Sequence, residues 1–350
     1  TVPEKKSGAK AKMAWLGRRL RSSLLVAAML FALHGGPARA DDLIKIGVVK
    51  NSVYGPFFIA ETRGYFKAEK LDATLVMFDA ALLMSPAVAS GALDFAAGNA
   101  SAAAYNLGGQ GALRVIAGFA EDRPGFQLFA FVASNRAYGG GLKSLAALPG
   151  HSVAVQALGA AAAYTLSLIE TKYHLDPARI RKLPLQSNSN IISAVTGGTA
   201  DASIGPATQI MPVVTRGEAK LLAFTGDEVQ WQLGTIYTAK KTVDERHDVV
   251  ERFLAAYRKG VHDYDDAFVD SAGERREGAD APAILAILAK YLDQPPDALK
   301  PALGYVNEGG RLDLKDIQRQ IAWYRSQGMI KPEVDAEATI DKRYVIPLEK

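Results

Sequence analysis

From residue 43 onward, short apolar runs alternate with helical repeats, and glycine-rich turns separate them. Leu43-Ile-Lys-Ile-Gly-Val-Val49 reads as a first strand, with a loop over 50–56 and a helix over Phe57–Gly64. Leu71–Phe78 alternates apolar and polar positions, as a strand with one buried face does. Asp79–Ser90 predicts a helix, Leu93–Ala97 a third strand, Ser101–Leu107 a helix and Arg114–Ala117 a short fourth strand. Strands and helices joined by short connections predict an α/β unit with a mostly parallel sheet. After an apolar strand at Phe126–Ala133 and a break at Gly139-Gly140-Gly141, the pattern restarts. His151–Gln156, Leu183–Leu185, Ala202–Ile204, Lys220–Phe224 and Thr235–Ala239 read as strands, with helices over Gly159–Tyr173 and Ser189–Thr196. Beyond residue 243 the pattern is helical, over Asp248–His262, Ala281–Leu292 and Leu314–Gln327.

One stretch recurs. Ser90–Ser101 reads as a helix end, a turn, a short buried strand and a polar loop. Gly91, Asp94, Gly98 and Ala100 fall on Gly198, Asp201, Gly205 and Ala207, a constant offset of 107, and Ala87-Val88 falls on Ala194-Val195. These identities predict two similar half-molecules. In open α/β sheets, ligands sit beyond the carboxyl ends of the strands. Those ends are residues 51–55, 79–81 and 98–101 in one half, and 156–160, 186–190 and 205–208 in the other. The loops are small and polar, and several open a helix, whose free N–H groups and partial positive charge suit an anion.

Composition narrows the choice of partner. At 350 residues the chain has room for two domains. Its net charge of +4 is unevenly placed. Of the 41 Lys and Arg, eight lie in the first 40 residues with Glu4 as their one acid, so the remainder holds 33 basic against 36 acidic side chains. Nothing there points to nucleic acid. The N-terminus reads as an export signal over residues 1–40, with residues 1–12 upstream of Met13. Arg18, Arg19 and Arg21 precede the apolar run Ser22–Leu33, which is too short to span a bilayer, and Ala38-Arg39-Ala40 is a cleavage site leaving Asp41 first. There is no cysteine, which excludes disulfides, thiolate metal sites and a cysteine nucleophile. The expectation is a periplasmic protein.

Other candidate chemistry is sparse. His34, His151, His174, His247 and His262 stand apart, without metal-ligand spacing. Asp263-Tyr-Asp-Asp266 reads as a solvated helix end rather than a carboxylate pair. Arg123 is placed either to meet an anion in the cleft or to form a surface ion pair. Tyr54 is placed either to stack on a ligand or to cap the core. Trp231 belongs either to the cleft wall or to packing near the returning strand.

Several stretches resemble a known family in their order along the chain. They are Gly55-Pro-Phe-Phe-Ile-Ala-Glu-Thr-Arg-Gly-Tyr-Phe66, Leu71-Asp-Ala-Thr-Leu75, Ser90-Gly-Ala-Leu-Asp94 and Leu142-Lys-Ser-Leu-Ala-Ala-Leu-Pro-Gly150. Val153-Ala-Val155, Leu175-Asp-Pro177, the repeat from Gly198 to Gly205 and Val249-Val-Glu-Arg-Phe-Leu254 continue the series. The chain resembles the nitrate/sulfonate/taurine (THI5/SsuA-like) substrate-binding proteins of ABC importers, well over about residues 43–270 and loosely beyond. The resemblance implies an α/β, type 2 periplasmic binding protein fold. Two βαβ lobes, 41–132 plus 226–350 and 133–225, would be joined by a two-crossing hinge near Ala130–Asn135 and Phe224–Thr238, with the ligand cleft between them. It implies ligand positions at Tyr54, Ala80, Asn99, Ala100, Ser101, Gln156, Gly159, Ala160, Asn188, Gly205, Pro206 and Thr208. It also implies a monomer that closes like a Venus flytrap on a small organic anion, without cofactor or metal, and delivers it to a membrane permease. One departure bears on the ligand: many relatives carry an aromatic residue or Trp-x-Pro near the second glycine, and here Gly205-Pro-Ala-Thr208 stands. Two other classes share the fold, an enzyme of the thiamine-pyrimidine type and a ligand-sensing domain. The enzymes depend on cysteine, which this chain lacks, and on a sacrificial histidine.

Overall fold

The computed structural model describes residue 1, residues 41–99 and residues 101–349. The expected export signal therefore lies outside the described residues, as does Ala100. Asp42–Lys350 forms one compact unit.

Two sheets organise it. The first holds β1 (Asp42–Val49), β2 (Leu71–Phe78), β3 (Phe95–Asn99), β4 (Leu113–Asp122), and later β10 (Trp231–Ala239) and β11 (Tyr305–Val306). Its order is β11-β4-β10-β3-β1-β2. The second holds β5 (Phe129–Ser134), β6 (Ser152–Val155), β7 (Arg181–Pro184), β8 (Ala202–Pro206) and β9 (Ala219–Phe224), in the order β7-β6-β8-β5-β9. The sheets are mixed rather than mostly parallel. β1 runs parallel to β2 and β3, while β10 runs antiparallel to β3 and β4. The second half of β1 is buried on both faces, which is why its run of apolar residues is unbroken there.

The repeat seen in the sequence is a repeat of structure. Ile46 pairs with Phe95 and Gly47 with Ala96, and 107 residues on Val153 pairs with Ala202 and Ala154 with Ser203. Lys45 pairs with Thr74 as Ser152 pairs with Arg181. Each sheet takes one antiparallel strand from beyond its own βαβ run: β10 lies between β3 and β4, as β5 lies between β8 and β9. Asp94 and Asp201 do the same work in each copy. The Asp94 carboxylate accepts the Lys45 N–H at 2.8 Å and pairs with Arg246 at 2.7 Å. Asp201 accepts the Ser152 N–H and hydroxyl, both at 2.9 Å, and pairs with Arg136 at 2.9 Å. Gly91 and Gly198 stand just before, at φ +79° and +72°, where a side chain would be strained.

Several sequence expectations shift. The loop 50–56 is instead a 3-10 turn at Ser52–Tyr54 running into a helix at Gly55–Thr62, and the Asn51 side chain caps it by accepting the Val53 N–H. The helix expected over Asp79–Ser90 is confined to Met84–Ala89, behind a 3-10 turn at Ala81–Leu83. Pro86 has no N–H to bond backwards, so it is tolerated only in a first turn. The strand expected at Phe126–Ala133 begins at Phe129, and those at Arg114–Ala117 and Thr235–Ala239 extend to Asp122 and back to Trp231. The chain therefore leaves the first sheet after Asp122, not at Ala130–Asn135, a stretch that begins inside β5. It returns over 225–230, within the expected second crossing.

The long helix His247–Phe268 covers the first sheet. Val249, Val250, Phe253, Leu254, Tyr257, Val261 and Tyr264 recur on its buried face at helical spacing. Phe253 stacks on Phe95 with ring centroids 3.8 Å apart. Gly260 lets the helix sit on the chain at Pro56, since a Cβ there would fall 2.2 Å from the Pro56 carbonyl oxygen.

Candidate functional site

The strand ends of the two sheets meet around a small inner cavity of about 30 Å³. From the first sheet's side come Val49, Asn51, Val53, Tyr54, Ala80, Ala81 and Leu233. From the second come Phe129, Gln156, Asn188 and Pro206. Tyr54, Ala80, Gln156, Asn188 and Pro206 were expected here from sequence. The polar groups are neutral amides. Gln156 Nε2 donates to Asn188 Oδ1 at 2.6 Å, so this bond uses neither the Asn188 amide N–H groups nor Gln156 Oε1. Ser187 caps the helix Asn188–Thr196 by accepting the Asn190 N–H, and this sets Asn188 on the first turn at the cavity wall.

A larger outer vestibule of about 530 Å³ adjoins it. Ser101, Gly159 and Ala160, all expected from sequence, line it together with Leu82, Ala102, Leu158 and Met329. The walls are continuous along the chain: Ala81 passes to Leu82, and Gln156 to Ala157. Here the two halves touch. The Ala102 N–H donates to the Gly159 carbonyl at 3.0 Å, and an added Cβ on Gly159 would lie 3.2 Å from that of Ala102. Elsewhere Gln294 Nε2 donates to the Thr208 carbonyl at 3.0 Å.

Gly205 and Thr208 stand beside the cavities rather than on their walls. Gly205 lies in β8 and is tight because a Cβ would meet Ile210 at 2.9 Å. Thr208, in the first turn of the helix Ala207–Thr215, is buried, and its hydroxyl has no hydrogen-bond partner among the described residues. Asn99 ends β3, its backbone opposite Gly234.

Tyr54 caps the core and borders the inner cavity. Its ring packs on Phe119 at 4.7 Å, and its hydroxyl donates to the Ala97 carbonyl at 2.9 Å. Burial, with Tyr237 close by, pushes its hydroxyl pKa well above the usual range, so it stays neutral. Arg123 lies over the Tyr305 ring at 4.4 Å, and among the described residues it forms no ion pair and lines neither cavity. Trp231 packs where the chain returns to the first sheet. Its Nε1 donates to Asp122 at 3.1 Å, and its ring meets Tyr164 edge-on. Asp122 also accepts from the Thr225 hydroxyl at 2.9 Å, so one carboxylate ties together the ends of both crossings. Burial pushes its pKa up to about 7, against the lowering effect of those two hydrogen bonds.

Sequence reasoning named 51–55 as a loop but did not single out Asn51, whose capping role was the available signal. Met329 carried none, because only packing brings it to the site. Among the described residues, no group of three or more His, Cys, Asp or Glu is placed to hold a metal ion.

A family model described as NMT1/THI5 like matches residues 51–266. No curated protein sequence matches the chain. Solved structures with a similar fold include the alkanesulfonate-binding protein SsuA from Xanthomonas axonopodis pv. citri bound to MOPS, 18% identical, covering 87% of this chain and 99% of that one at a TM-score of 0.69. The periplasmic aliphatic sulphonate binding protein SsuA from Escherichia coli is 17% identical, with 88% and 94% covered and a TM-score of 0.67. The periplasmic nitrate-binding protein NrtA from Synechocystis PCC 6803 is 12% identical, with 85% and 84% covered and a TM-score of 0.65. All three share the two-lobe periplasmic binding protein fold.

Proposed function

This chain belongs to the NMT1/THI5-like family, and from that premise we propose that it is the solute-binding component of an ABC importer. It binds a small organic anion between two lobes, 42–122 plus 231–349 and 129–224, without catalysing a reaction on it. The observation that carries this reading is the inner cavity, walled from both sheets by Asn51, Tyr54, Gln156 and Asn188. Amide donors and the first turn of a helix suit an oxyanion head. The chain crosses between the sheets twice, at 123–128 and 225–230, and two such crossings act as a hinge. The protein is a monomer that hands its ligand to a membrane permease.

Native mass spectrometry of freshly purified protein tests the reading directly by revealing a retained organic anion. A bound ligand also raises the melting temperature by mass action. A panel in which neutral sugars or cations shift the melt while sulfonates, carboxylates and nitrate do not would end the anion assignment.

Two outcomes follow for the site and for processing. Asn188→Ala and Asn99→Ala each remove a candidate hydrogen bond, worth about 1.5–3 kcal/mol to a charged ligand, so affinity drops by about tenfold to a hundredfold in calorimetric titration. Normal binding by both variants would move the ligand elsewhere. The second outcome concerns export: N-terminal sequencing of periplasmic material should begin at Asp41, and a membrane-retained chain starting at Met13 would contradict it.

A further inference from the structure

We propose that a third cavity, between the helices Ala161–Lys172 and Leu314–Ser326, is a separate binding site for a small zwitterion that carries an ammonium and a carboxylate, such as an α-amino acid. The cavity is about 230 Å³, and Ser167, Glu170, Thr171, Lys182, Trp323 and Gln327 line it. It shares no lining residue with the inner cavity or the vestibule. Glu170 stands about 15 Å along its helix from Ala160 on the vestibule wall. The inference is independent of the solute-binding reading.

The Glu170 carboxylate is the group that calls for a guest. Glu170 is 5% exposed. Its Oε1 lies 3.0 Å from Lys182 Nζ as an ion pair, yet it has no hydrogen-bond partner among the described residues. A buried carboxylate oxygen without a hydrogen bond is costly, and N–H donors from a guest relieve that cost. Two further acceptors stand beside it. The Ser167 hydroxyl donates to the Tyr164 carbonyl at 2.7 Å, and the Thr171 hydroxyl to the Ser167 carbonyl at 2.9 Å. Each hydroxyl has committed its one hydrogen, so each offers a guest only lone pairs. Ser167, Glu170 and Thr171 are neighbours on one helix face, and their three acceptors match the three N–H donors of an ammonium. Trp323 adds an aromatic wall that suits a cation, and its ring is steadied 5.3 Å from that of Tyr164.

Charge selects a zwitterion over a plain amine. Glu170 and Lys182 already balance, so a lone cation would leave a half-buried site with an excess positive charge. A carboxylate on the same molecule restores the balance, and the remaining Lys182 N–H groups and the Gln327 amide can donate to it. The walls come from both sheets. Lys182 lies on β7, while the helix of Trp323 is tied to β10, where Gln320 Nε2 donates to the Gln232 carbonyl at 2.7 Å. A guest therefore bridges elements of both sheets, and it raises the melting temperature by mass action.

The test is calorimetric titration of the dialysed full chain with glycine and L-alanine, and with propylamine and propionate as the separate halves. Both amino acids should bind, and each half should bind at least about tenfold more weakly than alanine. Glu170→Gln, folded as judged by its melt, should weaken alanine binding by about tenfold to a hundredfold, and Thr171→Val by about threefold to tenfold. Asn188→Ala, which alters the inner cavity, should bind alanine as the parent does. Absence of binding by both amino acids would leave the cavity to water and overturn the inference. Full affinity in Glu170→Gln or Thr171→Val overturns it too, as does propylamine binding as tightly as alanine. Loss of alanine binding in Asn188→Ala would put the zwitterion in the inner cavity instead.

Discussion

Asp122→Asn is expected to make the protein more stable than the parent at pH 8 and to remove Asp122's own share of the parent's loss of stability between pH 4 and 8, leaving the share of Asp265, whose buried carboxyl is also raised, to about 8. Asp122 ends β4 and is fully buried. One oxygen accepts from Trp231 and Thr225, and the other has no partner among the described residues. Burial raises its pKa from 3.8 to about 7. The sign follows from which state holds the proton. Below pH 4 folded and unfolded chains both carry it. Between about 4 and 7 the folded chain keeps a proton that the unfolded chain releases, so stability falls as pH rises through this window. The full loss corresponds to at most about 4 kcal/mol. Asn keeps an oxygen for Trp231 and Thr225 and never ionises, but its amide N–H groups replace the unpartnered oxygen, at a cost of about 1–3 kcal/mol. The two urea-unfolding curves of stability against pH should therefore cross, with the variant lower at pH 4 and higher at pH 8. Parallel curves would mean that Asp122 is ionised in the fold throughout.

Asp201→Ala should cost about 2–4 kcal/mol of stability, and Asp94→Ala about 1–3 kcal/mol, with ligand affinity retained. The loss comes from backbone donors left without an acceptor, the Lys45 N–H in one copy and the Ser152 N–H in the other, together with the Ser152 hydroxyl. The ion pairs add little, since Arg136 is 71% exposed and Arg246 35%. Both carboxylates sit at the amino end of a strand whose carboxyl end faces the cavities. Asp201 also works against pH in the opposite sense from Asp122. Burial alone would raise its pKa, but the Ser152 hydrogen bonds and the charges of His151 and Arg136 outweigh it and hold the carboxyl below its usual range. Its contribution is present above the unfolded pKa and is lost as pH falls through the folded one. Asn variants, which keep one acceptor oxygen, should recover part of the loss. Normal stability with lost binding in Asp94→Ala would put the cleft at the wrong end of the sheet.

Much of the fold was legible because its signals are local. The period of the apolar pattern marks strand and helix, and Gly91 and Gly198 stop helices wherever the backbone must turn left-handed. The offset of 107 between Asp94 and Asp201 was readable too, because each copy needs the same acceptor at the same place. Element boundaries were less legible. Ala80 is extended and Pro86 limits the helix after it, and neither effect shows in the apolar pattern of 79–90.

The sequence by itself determined the two α/β halves, their internal repeat, and the strand-end loops that carry Tyr54, Gln156 and Asn188. Each of these follows from short-range pattern or from identity at a fixed spacing. Only the tertiary structure decided which distant residues share a space. Asn106 meets the segment around Met329 more than 200 positions away, and Asp122 meets Thr225 and Trp231 across both crossings. Tertiary packing also spent Arg123 on the Tyr305 ring, and among the described residues no charged side chain lines the inner cavity or the vestibule. The physical reason is that burial and partner choice depend on every element packed around a side chain, whereas a linear pattern reports only the face on which that side chain stands.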